Sequence, residues 1–213
     1  LLDEDGTIRS MKTGQEIGIS NRDVRRWPDT GAMEPVSGKT QFGLCRDDWG
    51  NWFGSNNAWT LWEYVLIDHY ARRNPHVPTP APQEYMMVPP RSHPLYPASR
   101  TTERFNDPFA ANCFTSACGQ AIYRDDLFGP AYKDAIFICE NVHNLTRCQI
   151  MSPNGSSFTS ARLKEGDEQD PTEFWASTDT WSRPVWSVTG PDGALWMVDM
   201  YRHVIEHPQW IPE

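Results

Sequence analysis

The chain has 213 residues, a net charge of −9 and 38% hydrophobic residues, with ten Trp, nine Phe and seven Tyr. That length holds one large domain or two small ones, and the aromatic content excludes a disordered chain. The acidic balance, with basic residues only in short pairs such as Arg25-Arg26 and Arg72-Arg73, excludes a nucleic-acid binder. No apolar run approaches the roughly 20 residues of a transmembrane segment.

Eighteen Pro and fourteen Gly cut the chain into short segments, which favours strands and turns over long helices. Asp3–Ser10 opens with a turn at Gly6. Val24–Gly38 reads as a hairpin about Asp29-Thr30-Gly31. Lys39–Asp48 is a short strand feeding a second turn, and Asp47–Asn57 is that turn plus a strand. Leu61–Tyr70 fits a short helix or a strand equally well. Residues 75–110 form a Pro-rich insertion, read as a long extended loop with no core of its own. Thr115–Asp126 feeds a third turn, and Lys133–Asn144 repeats the turn-and-strand grammar with Asp134 in place of Gly. His143–Leu163 is a hairpin about Pro153-Asn154-Gly155. Arg183–Gly193 feeds the last turn, and the strand after Gly193 ends on Asp199.

These segments are copies of one unit. Setting Gly50 on Gly193 superposes Trp52 on Leu195, Phe53 on Trp196 and Asn56 on Asp199; the same alignment puts Glu140 on Asp199. The shortest anchor spacing, 44 residues from Gly6 to Gly50, suits a propeller blade of roughly 40–50 residues. The expected fold is therefore all-β: a partial β-propeller of about three to four blades of four-stranded antiparallel sheets, with the Pro-rich loop inserted. Residues 1–213 read as a fragment of one such domain, since the chain begins at Leu1 within a repeat. A missing signal peptide then says nothing about export.

In a propeller the strand ends gather around the mouth of a central channel. Asn56, Asn57, Glu140–Asn144 and Asp199–Tyr201 are the rim positions. Gln41, Thr115, Ser116, Arg183 and Pro184, just ahead of the preceding strands, share that mouth.

The phrases Arg46–Asn57, Tyr132–Arg147, Pro28–Gly38 and Arg183–Pro212 resemble the large secreted planctomycete proteins of the membrane-bound dehydrogenase type. Their propeller is similar to that of quinoprotein (PQQ) glucose and sorbosone dehydrogenases. The resemblance spans nearly the whole chain. It implies hydride transfer from a sugar or alcohol substrate to PQQ with calcium, electrons passing to a c-type cytochrome, haem c in a separate downstream domain, and a periplasmic or extracellular location. Fold alone does not fix activity.

On that reading His143 is the candidate base, because a neutral imidazole accepts a proton, and Arg183 the candidate cation for a quinone or substrate oxygen. Gln41, Asn56, Asn144, Arg183 and Tyr201 are candidate cofactor contacts. Glu140 and Asp199 are candidate calcium ligands through oxygen. Each has a plainer reading: His143 holds a loop, Arg183 pairs with an acid, and the acids cap backbone donors at strand ends. His203 and His207 have metal-pair spacing without a third ligand. Trp181, Trp186, Trp196 and Trp210 are available to stack on a sugar or quinone, although strand-borne Trp186 and Trp196, like Trp49 and Trp52, read first as core.

Two other functions stay open. One is a non-catalytic propeller that binds glycans or protein partners through its aromatics. The other is a lactonase-like metal-dependent hydrolase using Asn56, Glu140 and Asp199. Serine hydrolysis is excluded, since no Gly-x-Ser-x-Gly elbow is present. Asn144-Leu145-Thr146 and Asn154-Gly155-Ser156 match the glycosylation pattern. Five Cys occur without a Cys-x-x-Cys pair, which disfavours zinc, thioredoxin and haem c sites. Cys113 and Cys118 are close enough for a loop disulfide; the alternative is that the cysteines are small buried residues.

Overall fold

The turn anchors explain the architecture first. In a computed structural model, described over residues 6–78, 80–87, 93–99, 112–163 and 171–205, Gly6, Gly50, Asp134 and Gly193 all take left-handed backbone, with φ of 71°, 97°, 60° and 78°. Glycine adopts that region freely and Asp tolerates it, so the copy without Gly makes the same turn.

Strands are antiparallel throughout. Thr7–Arg9 (β1) pairs with Glu16–Gly18 (β2), and Asp23–Arg26 (β3) with Met33–Val36 (β4). Leu44–Arg46 (β5), Trp52–Asn56 (β6), Trp59–Tyr64 (β7) and Gln83–Tyr85 (β8) form a four-stranded meander. A single helical turn, Asp68–Ala71 (α1), lies between its last two strands. Ala117–Ile122 (β9), Ala135–Glu140 (β10), Leu145–Asn154 (β11) and Ser157–Arg162 (β12) form the next meander, and Trp175–Ala176 (β13) pairs with the start of β11. Pro184–Thr189 (β14) and Leu195–Asp199 (β15) close the series as a two-stranded sheet. The fold is all-β and propeller-like in part. Two of the sheets have the expected four-strand meander, and three are hairpins.

Successive sheets meet along their first strands. Gly119 N donates to Phe42 O at 2.8 Å, and Ser187 Oγ reaches Gly119 O at 3.4 Å. Thus β9 is flanked by the β5 and β14 segments. The residues aligned in sequence occupy one structural position: Phe53, Phe137 and Trp196 lie on β6, β10 and β15, the second strand of each sheet.

Every residue of β10 is buried. Ile136 and Ile138 pack toward Phe53, Leu61, Leu145 and Met151, and Ala135 and Phe137 toward Tyr123, Tyr132 and Phe174. A strand covered on both faces reads as a continuous apolar run. Each fully buried Ile or Phe there contributes about 1.5–3 kcal/mol.

Three expectations need correction. The Pro-rich insertion is not merely a surface loop. Gln83–Tyr85 supplies the fourth strand of a sheet, and Met86, Met87 and Leu95 are core. A buried Arg147–Glu173 ion pair anchors the segment further, with Glu173 Oε1 accepting Tyr96 N at 3.1 Å. Residues 88–92 and 100–111 lie outside the described residues. Leu61–Tyr70 is strand and then helical turn, so neither single reading holds. Finally, Trp49, Trp52, Trp186 and Trp196 are not core but 88%, 41%, 41% and 53% exposed. The last two alternate with buried Ser187 on the face of β14–β15 away from β9, to which Ser187 bonds.

Candidate functional site

Asn56, Glu140 and Asp199 are the last residues of β6, β10 and β15. Their surroundings connect. Asn57 bridges to Ala117, which pairs with Glu140; the Arg183 guanidinium reaches Asn141 O at 3.0 Å. All three tips therefore lie on one rim.

At that rim the side chains do one job: each clamps the backbone that leads into the neighbouring first strand. Glu140 Oε2 accepts the N–H groups of Thr115 and Ser116 at 3.1 and 2.9 Å. Asp199 Oδ1 accepts Arg183 N–H at 2.6 Å and Tyr201 N–H at 2.8 Å, while Oδ2 accepts the Ser182 hydroxyl at 2.6 Å. Asn56 Nδ2 donates to Lys39 O at 2.8 Å. A strand ends on a polar residue here because the neighbouring backbone, N–H groups at Glu140 and Asp199 and a carbonyl at Asn56, takes its hydrogen-bond partner from that side chain. Burial alone would raise the Asp199 carboxyl, but the Ser182, Arg183 and Tyr201 hydrogen bonds and the Arg183 charge outweigh it and hold the group below its ordinary value.

His143 is fully buried. Its Nε2 accepts Asn112 N–H at 2.9 Å, so the ring proton sits on Nδ1, 3.3 Å from Glu140 Oε1. Both nitrogens are engaged within the protein. Asn144 is also fully buried and left-handed, with φ of 56°. It accepts the Ser99 hydroxyl at 2.6 Å and donates to Ser182 O. A buried Asn144 is closed to glycosylation, whereas Asn154 is exposed at a hairpin end. Gln41 is exposed, and its backbone N–H meets Ser55 O at 3.2 Å.

Arg183 is fully buried, and its guanidinium is spent on backbone carbonyls. Nε donates to Arg202 O at 2.9 Å, Nη1 to Asn141 O at 3.0 Å, and Nη2 to His203 O. A guanidinium, with its planar fork of donors, suits such a role. With Asp199 it fixes the loop 199–203 from both sides.

That loop displays an exposed aromatic cluster. Tyr201, 60% exposed, lies 5.9 Å from Trp181, which is 48% exposed, and His203 stacks on Trp181 at 5.5 Å with an interplanar angle of 23°. The Tyr201 hydroxyl donates to Asp179 Oδ2 at 3.1 Å, and Asp179 Oδ1 accepts Trp181 N–H at 2.9 Å. Asp179 and Ser182 escaped the sequence reading; the only available cue is the turn-forming Ser177–Ser182 segment between strands.

The rim residues assigned to a quinone and calcium do not fit them. The Glu140 and Asp199 oxygens face protein donors, His143 and Asn144 are sealed, and Arg183 has no donor aimed at an open pocket. Of the predicted set Gln41, Asp199 and Tyr201 are exposed; the Asp199 carboxylate is taken up by the Ser182, Arg183 and Tyr201 donors, and Tyr201 belongs to the aromatic cluster. Among the described residues no group of three or more His, Cys, Asp or Glu is placed to hold a metal. His203 is a stacking partner; His207 and Trp210 lie outside the described residues. Also among the described residues, no helix is long and apolar enough to cross a membrane.

Comparison with curated proteins finds no match, and comparison with solved structures finds none. A family described as a domain of unknown function, DUF7133, matches residues 2–213, and the chain belongs to that family.

Proposed function

We propose that this chain is a binding sector of a propeller and that it takes a neutral glycan at the Trp181–Tyr201–His203 cluster. One observation carries the reading: a buried Arg183 and the Asp199 carboxylate together hold a short loop so that exposed rings stand beside an acid. Aromatic surface suits the C–H faces of a sugar, and the Asp179 carboxylate accepts its hydroxyl hydrogens. Carboxylates at the site and a net charge of −9 weigh against an anionic ligand. A loop fixed before binding loses little entropy on binding.

The redox activity that the resemblance implies, with PQQ, calcium and a cytochrome acceptor, would need other ligands than Glu140 and Asp199 and another cation than Arg183, because these side chains are committed to hydrogen bonds within the protein. The same holds for a lactonase-like centre on Asn56, Glu140 and Asp199.

The test is a panel of neutral oligosaccharides screened by array and then by calorimetry. Binding is expected, and Trp181→Ala and Tyr201→Ala are each expected to weaken it about tenfold, near 1.4 kcal/mol. Absence of binding across the panel, or binding that both variants leave unchanged, would sink the proposal.

A further inference from the structure

We propose that Cys118 and Cys139 form a cross-strand disulfide, a covalent site independent of the rim cluster. The two residues are directly opposed on the antiparallel strands β9 and β10. Opposed residues share a face, with Cβ atoms about 4.5–5.5 Å apart, and a disulfide needs about 3.5–4.5 Å. The missing ångström is available locally. The pairing shifts register between Phe137 and Cys139, so that Gly119 and Gln120 on β9 oppose Ile138 alone, and a bulged strand bends more readily than a regular one.

In the thiol form the sulfurs are weakly held. Cys118 Sγ lies 3.9 Å from Pro184 O and 3.7 Å from Asn141 Nδ2, and Cys139 Sγ accepts the Thr146 hydroxyl at 3.6 Å. The other cysteines are placed against other partners: Cys45 opposes Phe53, Cys148 opposes Phe137, and Cys113 bridges to Pro94. Register therefore selects one pairing, and it is not the Cys113–Cys118 loop bridge.

The chemistry balances with a small-molecule disulfide such as oxidised glutathione. One thiolate attacks the glutathione disulfide and releases a glutathione thiol. The second attacks the resulting mixed disulfide, forms the Cys118–Cys139 bond and releases another. Two protein thiols are oxidised and one disulfide is reduced. Burial pushes the Cys139 thiol up to about 11 and the Cys118 thiol higher still, so few thiolates exist in the folded chain. Exchange belongs to folding, before the sheets close, and the finished bond is then shielded from reductant.

The experiment reduces and unfolds the full chain and refolds it in mixed oxidised and reduced glutathione. The chain is then unfolded with an alkylating reagent, digested and weighed. The expected product joins the Cys118 and Cys139 peptides without their thiol hydrogens, leaving Cys148 alkylated. In Cys139→Ser, Cys118 is expected to be alkylated. Alkylation of both residues in the parent chain, or a dominant pairing of either with Cys113 or Cys148, overturns the proposal.

Discussion

Arg183 and Asp199 meet through the Arg183 backbone. The carboxylate accepts its N–H at 2.6 Å, while the guanidinium reaches past to Arg202 O at 2.9 Å and to His203 O. The acid and the base thus grip opposite groups of the same loop. Because the Asp199 carboxyl is held below its ordinary value, its contribution is complete above the unfolded carboxylate value of about 3.9 and is lost as pH falls through the folded value. Near-ultraviolet circular dichroism of the exposed rings should therefore hold steady from pH 7 to about pH 4.5 and then fall in stronger acid. Asp199→Asn, which keeps one acceptor oxygen, should start lower and lose that acid step. An unchanged acid transition in the variant would show that the loop is held by something else.

Arg183 contributes more than Asp199, because it is fully buried and satisfies several carbonyls. Arg183→Met leaves those carbonyls without a donor and should cost about 2–4 kcal/mol in denaturant unfolding. Arg183→Lys should recover little, since one ammonium cannot reproduce a planar fork. Near-parent stability in the Lys variant would refute the fork argument.

The repeat is legible because turn geometry leaves a mark in sequence. Gly50, Asp134 and Gly193 occupy left-handed positions that few residues tolerate, and the aligned Asn56, Glu140 and Asp199 each end a strand. Their task was only half legible. The groups they bind are backbone N–H and C=O, which every residue carries, so no residue type signals the contact. The β8 strand was hidden for a different reason. Three residues, Gln83–Tyr85, are too few to show alternation among flanking prolines. Trp186 and Trp196 misled because strand aromatics are usually covered, yet buried Ser187 between exposed Trp186 and Val188 marks the covered face as the one carrying the small residue.

Glu63 is an acid in the core, 3% exposed, and its Oε2 has no hydrogen-bond partner among the described residues. Burial raises its pKa, and the charges of Asp47 and Glu84 add to this, outweighing the Ser157 hydroxyl. The folded chain consequently binds this proton more tightly than the unfolded one, and stability declines as pH rises from the unfolded value near 4.3 through the folded value. Glu63→Gln should remove that decline, giving a variant more stable than the parent at pH 8 and about equal at pH 4.5. Chemical denaturation at the two pH values measures it. A variant less stable than the parent at pH 8 would mean that the ionised carboxylate is favourable where it stands.

Two glycines with similar backbone separate strain from crowding. Gly119 and Gly155 have φ of 53° and 63°. A Cβ on Gly119 would stand 2.2 Å from Val185 O and 2.6 Å from Trp186 Cα, whereas one on Gly155 meets nothing within 4 Å. Gly155→Ala carries only the left-handed penalty, about 1–2 kcal/mol. Gly119→Ala carries the same penalty and also pushes β9 away from β14, because the obstacle is backbone and cannot rotate aside. It should cost about 3 kcal/mol or more and should expose amides of β14–β15 to hydrogen exchange ahead of those in β10–β11. Equal costs for the two variants, or exchange that rises uniformly, would place the tight contact between these sheets in error.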